Sequence, residues 1–230
     1  TAAADYAALL DTLAARLGDD RAVHFHAHFS RIAYTKGGEK CHLTFADTAF
    51  GPPHAPLLAL LKERHLAPTI ICESAGTQAE DAAALAFQAL KLQLDADIFR
   101  QYVRESVRRV SDPAFPRGDG HISCLAGNCS FFINWQGRLF PCVMLSELSA
   151  PVFDLGFLAA WETVSAKARN LSLSTKCRQC RFRPICRTCA AASFLETGSY
   201  QGAPDYLCRY AEHYYDLLLA ELASFSSDPS

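Results

Sequence analysis

Apolar residues recur at helical spacing from Ala3 to Leu17, and the pattern stops at Gly18. From Ala22 to Ser30 the period changes to two. Val23, Phe25, Ala27 and Phe29 share one face of an expected strand, and His24, His26 and His28 share the other. Gly37-Gly38 and Gly51-Pro52-Pro53 mark loops. Ala55 to His65 predicts a second amphipathic helix. Pro68 to Glu73 predicts a short apolar strand ending in a carboxylate, and Ala79 to Leu92 a third helix. After the first helix this is β–α–β–α order, as expected of part of a parallel α/β barrel or sheet.

The pattern then loosens. Asp95 to Val110 predicts a charged helix, and Ser111 to Gly120 a loop. Phe131–Trp135 and Arg138–Phe140 flank a Gln-Gly turn and predict a β-hairpin. A closing helix is expected from about Tyr206 to Leu222. The expected organisation is an α/β segment over 1–92, a helical linker and loop over 93–120, a small irregular α+β domain over 121–223, and a disordered tail over 224–230.

Composition narrows the classes. Half of the 230 residues are hydrophobic and a fifth are charged, which argues for a folded chain. A net charge of -2 gives no overall basic surface for nucleic acid. No run of roughly 18 apolar residues is present, so no membrane span is expected. The start has neither a basic flank nor a long apolar stretch, and the single methionine is Met144. These features predict a processed or truncated start and a cytoplasmic location.

Cysteine changes the picture most. Eight of the ten cysteines fall between Cys124 and Cys208, and only Cys41 and Cys72 precede them. A secreted disulfide scaffold also concentrates cysteine, but it is usually smaller and follows a signal peptide. One cluster is Cys124, Cys129 and Cys142, arranged about the expected hairpin. Another is Cys177-x2-Cys180-x5-Cys186-x2-Cys189, with Cys208 beyond it. Thiolates are soft, charged donors for iron–sulfur clusters or Zn²⁺. Lys176, Arg178, Arg181, Arg183 and Arg187 surround the second set and favour its thiolate form. Zinc ribbons also pair Cys-x2-Cys motifs, so a non-catalytic zinc-binding module is an alternative.

Cys124, Gly137, Cys142, Cys177, Cys180, Cys186, Cys189 and Cys208 together resemble the seven-cysteine signature of the SPASM domain of radical S-adenosylmethionine (radical SAM) enzymes. That signature runs Cys-x9–15-Gly-x4-Cys, then Cys-x2-Cys-x5-Cys-x3-Cys, then a last Cys. The text around Ile133–Gly137, Gly156–Trp161, Cys189–Ala191 and Glu196–Gly198 is similar as well, and the resemblance covers roughly residues 95–222. One departure is the pair Cys186 and Cys189, separated by two residues instead of three. The resemblance implies two [4Fe–4S] clusters. One would use Cys124, Cys142 and Cys189, with Cys129 as a fourth ligand or an open iron site in its place. The other would use Cys177, Cys180, Cys186 and Cys208. It also implies a role in electron transfer or substrate engagement, with a peptide or protein as substrate.

The histidine strand resembles a second family. His26-Ala-His28-Phe-Ser30, Gly37-Gly-Glu-Lys-Cys-His42 and Ile70-Ile-Cys-Glu73 are similar to the last strands of endonuclease IV and xylose-isomerase-like TIM barrels. That resemblance covers roughly residues 5–90. It implies a zinc site that activates water, with His26, His42 and Glu73 as ligands and His24 or His28 as neighbours. Family members have Asp-x-His where this chain has Lys40-Cys-His42.

Neither chemistry is expected to be complete in this chain. A barrel of this type needs about eight strands, and the segment supplies two. The radical-forming cluster needs Cys-x3-Cys-x2-Cys, which the sequence lacks. The expectation is therefore an auxiliary module that is not catalytically complete alone, served by a radical SAM domain or a barrel in trans. A hydrolase remnant is the alternative.

Overall fold

The computed structural model describes residues 2–118, 120–121 and 124–225. Its contacts divide the chain into two units: residues 1–107 with 209–230, and residues 108–208.

The first unit opens with α1 (Ala2–Leu17), interrupted at Gly18, and a single turn, α2 (Asp19–Val23). Asp19 and Asp20 stand in the first turn of α2, where carboxylates favour the positive end of the helix. Ala22 and Val23 are thus helical, and β1 (His26–Phe29) is shorter than the expected strand of 22–30. A hairpin follows, β2 (Arg31–Thr35) and β3 (Gly38–Leu43), paired antiparallel. Alternation does not reveal it, because four of the six β3 residues are exposed and leave no apolar stripe. Next come α3 (His54–Glu63), β4 (Thr69–Cys72) and α4 (Gln78–Gln93). Pro56 is tolerated in the first turn of α3, where its lost N–H has no intrahelical partner.

β1 and β4 pair in parallel, with His28 opposite Ile71 and Phe29 opposite Cys72. Phe29 turns toward Tyr6, Leu57, Leu58, Leu61 and Leu85 from α1, α3 and α4, and these six form one buried cluster. The opposite sheet face carries His26, His28 and Ile71, all exposed. α5 (Ala96–Ser111) buries Phe99, Val103, Val107 and Val110 at helical spacing. Phe87 of α4 meets the rings of both Phe99 and Tyr214 edge-on at 5.7 Å.

The second unit is built from short pieces. β5 (Phe132–Ile133), β6 (Arg138–Phe140) and β7 (Ala150–Pro151) form an antiparallel sheet in that order. The hairpin lies where its turn sequence places it. Asn134 Oδ1 accepts from the backbone N–H groups of Gln136 and Arg138, both at 3.0 Å, and closes the tip. The Phe153 ring lies where a side chain at residue 137 would stand, so Gly137 lets it pack on the turn. α6 (Val152–Leu155), α7 (Phe157–Arg169), α8 (Thr175–Gln179) and α9 (Ala190–Thr197) follow. α10 (Asp205–Ser224) begins in this unit and from Arg209 groups with the first. It was expected with the cysteine-rich segment throughout, but its buried residues Tyr214, Tyr215 and Leu218 all fall beyond Arg209. Of the expected disordered tail, residues 226–230 lie outside the described residues.

Candidate metal centres

Short local structures position the second cysteine set. Ser174 caps α8, its hydroxyl oxygen accepting from the Cys177 N–H at 3.0 Å. The Cys180 N–H donates to the Cys177 carbonyl at 3.3 Å, closing the Cys-x2-Cys turn. The Cys186 N–H donates to the Phe182 carbonyl at 2.8 Å. Cys208, in the first turn of α10, donates its N–H to the Pro204 carbonyl at 3.2 Å.

Cys177 and Cys180 lie within electrostatic reach of Cys186, and all three within reach of Cys208. Burial pushes the Cys186 thiol above its ordinary range, and negative charge on Cys180 and Cys177 pushes it further, against Arg183. Burial also raises Cys208, with Cys177, Cys186 and Cys180 adding to the rise and Lys176 opposing it. Burial thus favours the neutral thiol at Cys186 and Cys208, a proton that metal binding would have to displace. Thr188 Oγ1 lies 3.7 Å from Cys186 Sγ, a partner the spacing argument did not name.

The first set is held differently. The Ala126 N–H donates to Cys124 Sγ at 3.4 Å, and the Met144 N–H donates to Cys142 Sγ at 3.5 Å. Both are bonds from the second residue after the cysteine. Cys142 and Cys189 pack against one cluster with Leu145, Ala190 and Ala191. The loop bearing Cys124 and Cys129 is clamped to α7. Ser165 Oγ donates to the Gly127 carbonyl at 2.7 Å, and a Cβ at residue 127 would collide with Ala168. Cys129 is exposed, and its N–H donates to the Leu125 carbonyl at 3.0 Å.

All ten cysteines are free thiols. Among the described residues, no three His, Cys, Asp or Glu side chains already stand at the spacing one ion requires. Closing the second set around a metal therefore takes movement of short loops and rotamers. The donor chemistry fits the group: soft sulfur, several donors, adjacent cations and local N–H bonds to sulfur.

In the first unit Glu73 lies just beyond β4, and its N–H bonds to the Phe29 carbonyl at 2.9 Å. Its carboxylate reaches His28 Nδ1 at 2.6 Å and lies 4.0 Å from His42 Nδ1. The hydrogen bond from His28 holds the Glu73 carboxyl below its usual range. His42 also meets Ser30 Oγ at 2.7 Å and, through Nε2, Glu39 at 3.1 Å. Two of the three expected ligands, His42 and Glu73, thus come together, with His28 in the place expected of His26. The His26 ring instead stands 5.2 Å from that of His28. His24 caps α2, its Nδ1 3.4 Å from the Ala67 carbonyl. Glu39 and Ser30 are not among the expected ligands; Glu39 lies three residues before His42 on β3, across a shift in the hairpin register.

No helix among the described residues is long and apolar enough to cross a membrane. No protein-family model matches the chain, and no solved structure matches it. An AdoMet-dependent heme synthase from Methanosarcina barkeri is 32% identical over 90 residues, 38% of this chain and 26% of that protein. The match thus spans about a quarter of that relative's length.

Proposed function

We propose that the second unit is an auxiliary iron–sulfur module of a radical SAM enzyme that modifies a peptide or protein. The feature that carries this reading is the Cys177-x2-Cys180-x5-Cys186-x2-Cys189 spacing with Cys208 beyond it, all within the second unit. The relative's dependence on AdoMet supports the link to radical SAM chemistry. Its name specifies heme, so the peptide or protein substrate rests on the cysteine signature alone. Cys177, Cys180, Cys186 and Cys208 would hold one [4Fe–4S] cluster. Cys124, Cys142 and Cys189 would hold another, with Cys129 on the adjacent clamped loop as the fourth donor. Such clusters, when bound, supply one-electron transfer and, at an open iron, a Lewis-acid position. The chain's own contribution is to aim sulfur through capped turns and to offset thiolate charge with Arg183 and Lys176. The radical-forming site would lie on another domain or chain.

Anaerobic iron and sulfide analysis after reconstitution tests this. We expect about eight irons per chain and a broad absorption band near ~400 nm, with Cys177→Ala losing about half the iron. A colourless, zinc-loaded protein would establish the zinc-module alternative instead.

A second reading concerns the first unit. Glu73, His28 and His42 converge at the C-terminal ends of parallel strands, where α/β folds place their sites. The uncovered His26–His28 sheet face matches the face that would line a barrel. These features support a remnant of an endonuclease IV-type metal-dependent hydrolase. Cleavage of abasic-site DNA with added Zn²⁺ tests it, and no cleavage by the chain alone is expected.

A further inference from the structure

We propose that Arg183 is a further binding residue for the cluster of the second thiol set, its Nε–H donating a hydrogen bond to one of the cluster's sulfurs. The inference rests on the iron–sulfur reading above and goes beyond it by assigning a donor outside the cysteines.

Arg183 is the middle residue between Cys180 and Cys186. Its backbone N–H donates to the Cys180 carbonyl at 3.1 Å. Its side chain reaches the far end of the same loop, where Nη1 donates to the Cys186 carbonyl at 3.4 Å. The residue is thus tied to both of the cysteines that flank it. Nη2 donates to the His121 carbonyl at 3.3 Å, on the segment that leads toward Cys124. That segment has other ties to the second set's surroundings. The Leu173 N–H donates to the Gly120 carbonyl at 2.8 Å, and His121 forms an antiparallel bridge with Ser172. Arg117 Nη1 donates to the Arg181 carbonyl at 3.0 Å, inside the Cys180–Cys186 loop.

Two of the three guanidinium nitrogens of Arg183 are therefore engaged and hold the group in place. The third, Nε, is buried and has no hydrogen-bond partner. A cationic N–H that has given up water needs an acceptor, and a native fold rarely leaves one without. The group lies within electrostatic reach of the Cys186 thiol. The carbonyls of Cys180, Cys186 and His121 already accept from other nitrogens of this residue. Sulfur in a thiolate-ligated cluster carries negative charge and accepts hydrogen bonds, and such bonds help set the cluster's potential. The rigid fork of arginine can brace the loop with two nitrogens and present a third, which lysine cannot do. A buried water is the competing acceptor. Only a sulfur acceptor would pass unpaired spin of the reduced cluster directly to the nitrogen.

The test uses the full chain, anaerobically reconstituted, with arginine ¹⁵N-labelled in the guanidinium. The second-set cluster is identified as the paramagnetic signal lost in Cys177→Ala. In the reduced wild type, pulsed electron paramagnetic resonance should show a ¹⁵N coupling on that signal, and R183K should lose it. R183K and R183Q should keep the iron and sulfide of wild type. Their midpoint potential for this cluster should shift negative, because a donor that stabilises the more negative reduced state is gone. R117A removes the neighbouring arginine tie to the same loop. It should raise amide exchange there without moving the potential. A wild-type signal without ¹⁵N coupling overturns the proposal, and so does an R183K and R183Q potential equal to that of wild type. A shift in R117A as large as in R183Q also overturns it, since loop order would then set the potential. Wild-type protein that takes up no iron or sulfide overturns the iron–sulfur reading itself and the Arg183 assignment with it, a result visible before any variant is compared.

Discussion

The first unit closes six buried side chains from α1, β1, α3 and α4 into one cluster, with a further set of rings between α4, α5 and α10. Two clusters among the described residues of the second unit hold four and three buried residues. A buried Leu or Phe contributes about 1.5–3 kcal/mol, and several of the second unit's buried side chains are alanines, which contribute less. It also has a capped turn at α8 and a loop clamped to α7. The difference teaches that the first unit is a fold that carries a polar cluster at its strand ends, whereas the second would, on the proposed reading, be organised around its thiols. It also explains why the second unit's sequence has so little periodicity and so much cysteine.

The largest test of this contrast is removal of metal. Stripping iron from reconstituted protein with an anaerobic chelator should abolish amide protection across 177–208 and leave protection across 54–93 intact, as read by hydrogen exchange. Equal loss in both regions would show that one core supports the whole chain.

The converse change follows. Leu61→Ala opens a cavity among Tyr6, Phe29, Leu57, Leu58 and Leu85. It should cost the first unit about 2–5 kcal/mol in urea unfolding, with the iron content unchanged.

Ser165→Ala has a smaller effect. It leaves the buried Gly127 carbonyl without its side-chain donor and should cost about 1–3 kcal/mol. It should also raise exchange in 124–130, because that hydrogen bond ties the Cys124–Cys129 loop to α7.

The smallest expected effect is electrostatic. Arg209 Nε and Nη2 donate to the two carboxylate oxygens of Glu80, each at 2.7 Å, and hold its carboxyl below the ordinary range. A carboxyl lowered in the folded state stabilises above the ordinary carboxylate range, and that contribution fades as pH falls through the lowered value. The pair is partly solvated, so Arg209→Ala should cost under about 1 kcal/mol at neutral pH and nothing at the acid end of a pH series of melts.

Much of the first unit was legible because long helices and apolar strands carry a period. α1, α3, α4, α5 and α10 lie close to where their patterns place them, and β1 and β4 pair in parallel as β–α–β order implies. The β2–β3 hairpin was not legible, since an exposed ribbon has no buried face to impose alternation. The contact of Glu39 with His42 was not legible either, because it spans three residues of β3 across a shift in the hairpin register. β7 was missed for a similar reason: two residues are too few for any period. The spacing of the cysteines was legible, but the local bonds that hold their turns were not.

The sequence by itself determined the chemistry on offer: a histidine strand, a carboxylate after an apolar strand, and eight clustered thiols among cations. Those follow from residue type and local spacing, which need no long-range contact. Tertiary structure decided which of these groups meet. It placed His28 against Glu73, grouped Cys208 with thiols about twenty residues and more earlier in the chain, and assigned most of α10 to the first unit. Such meetings depend on chain crossings and on packing across gaps of many residues, and no local pattern encodes them.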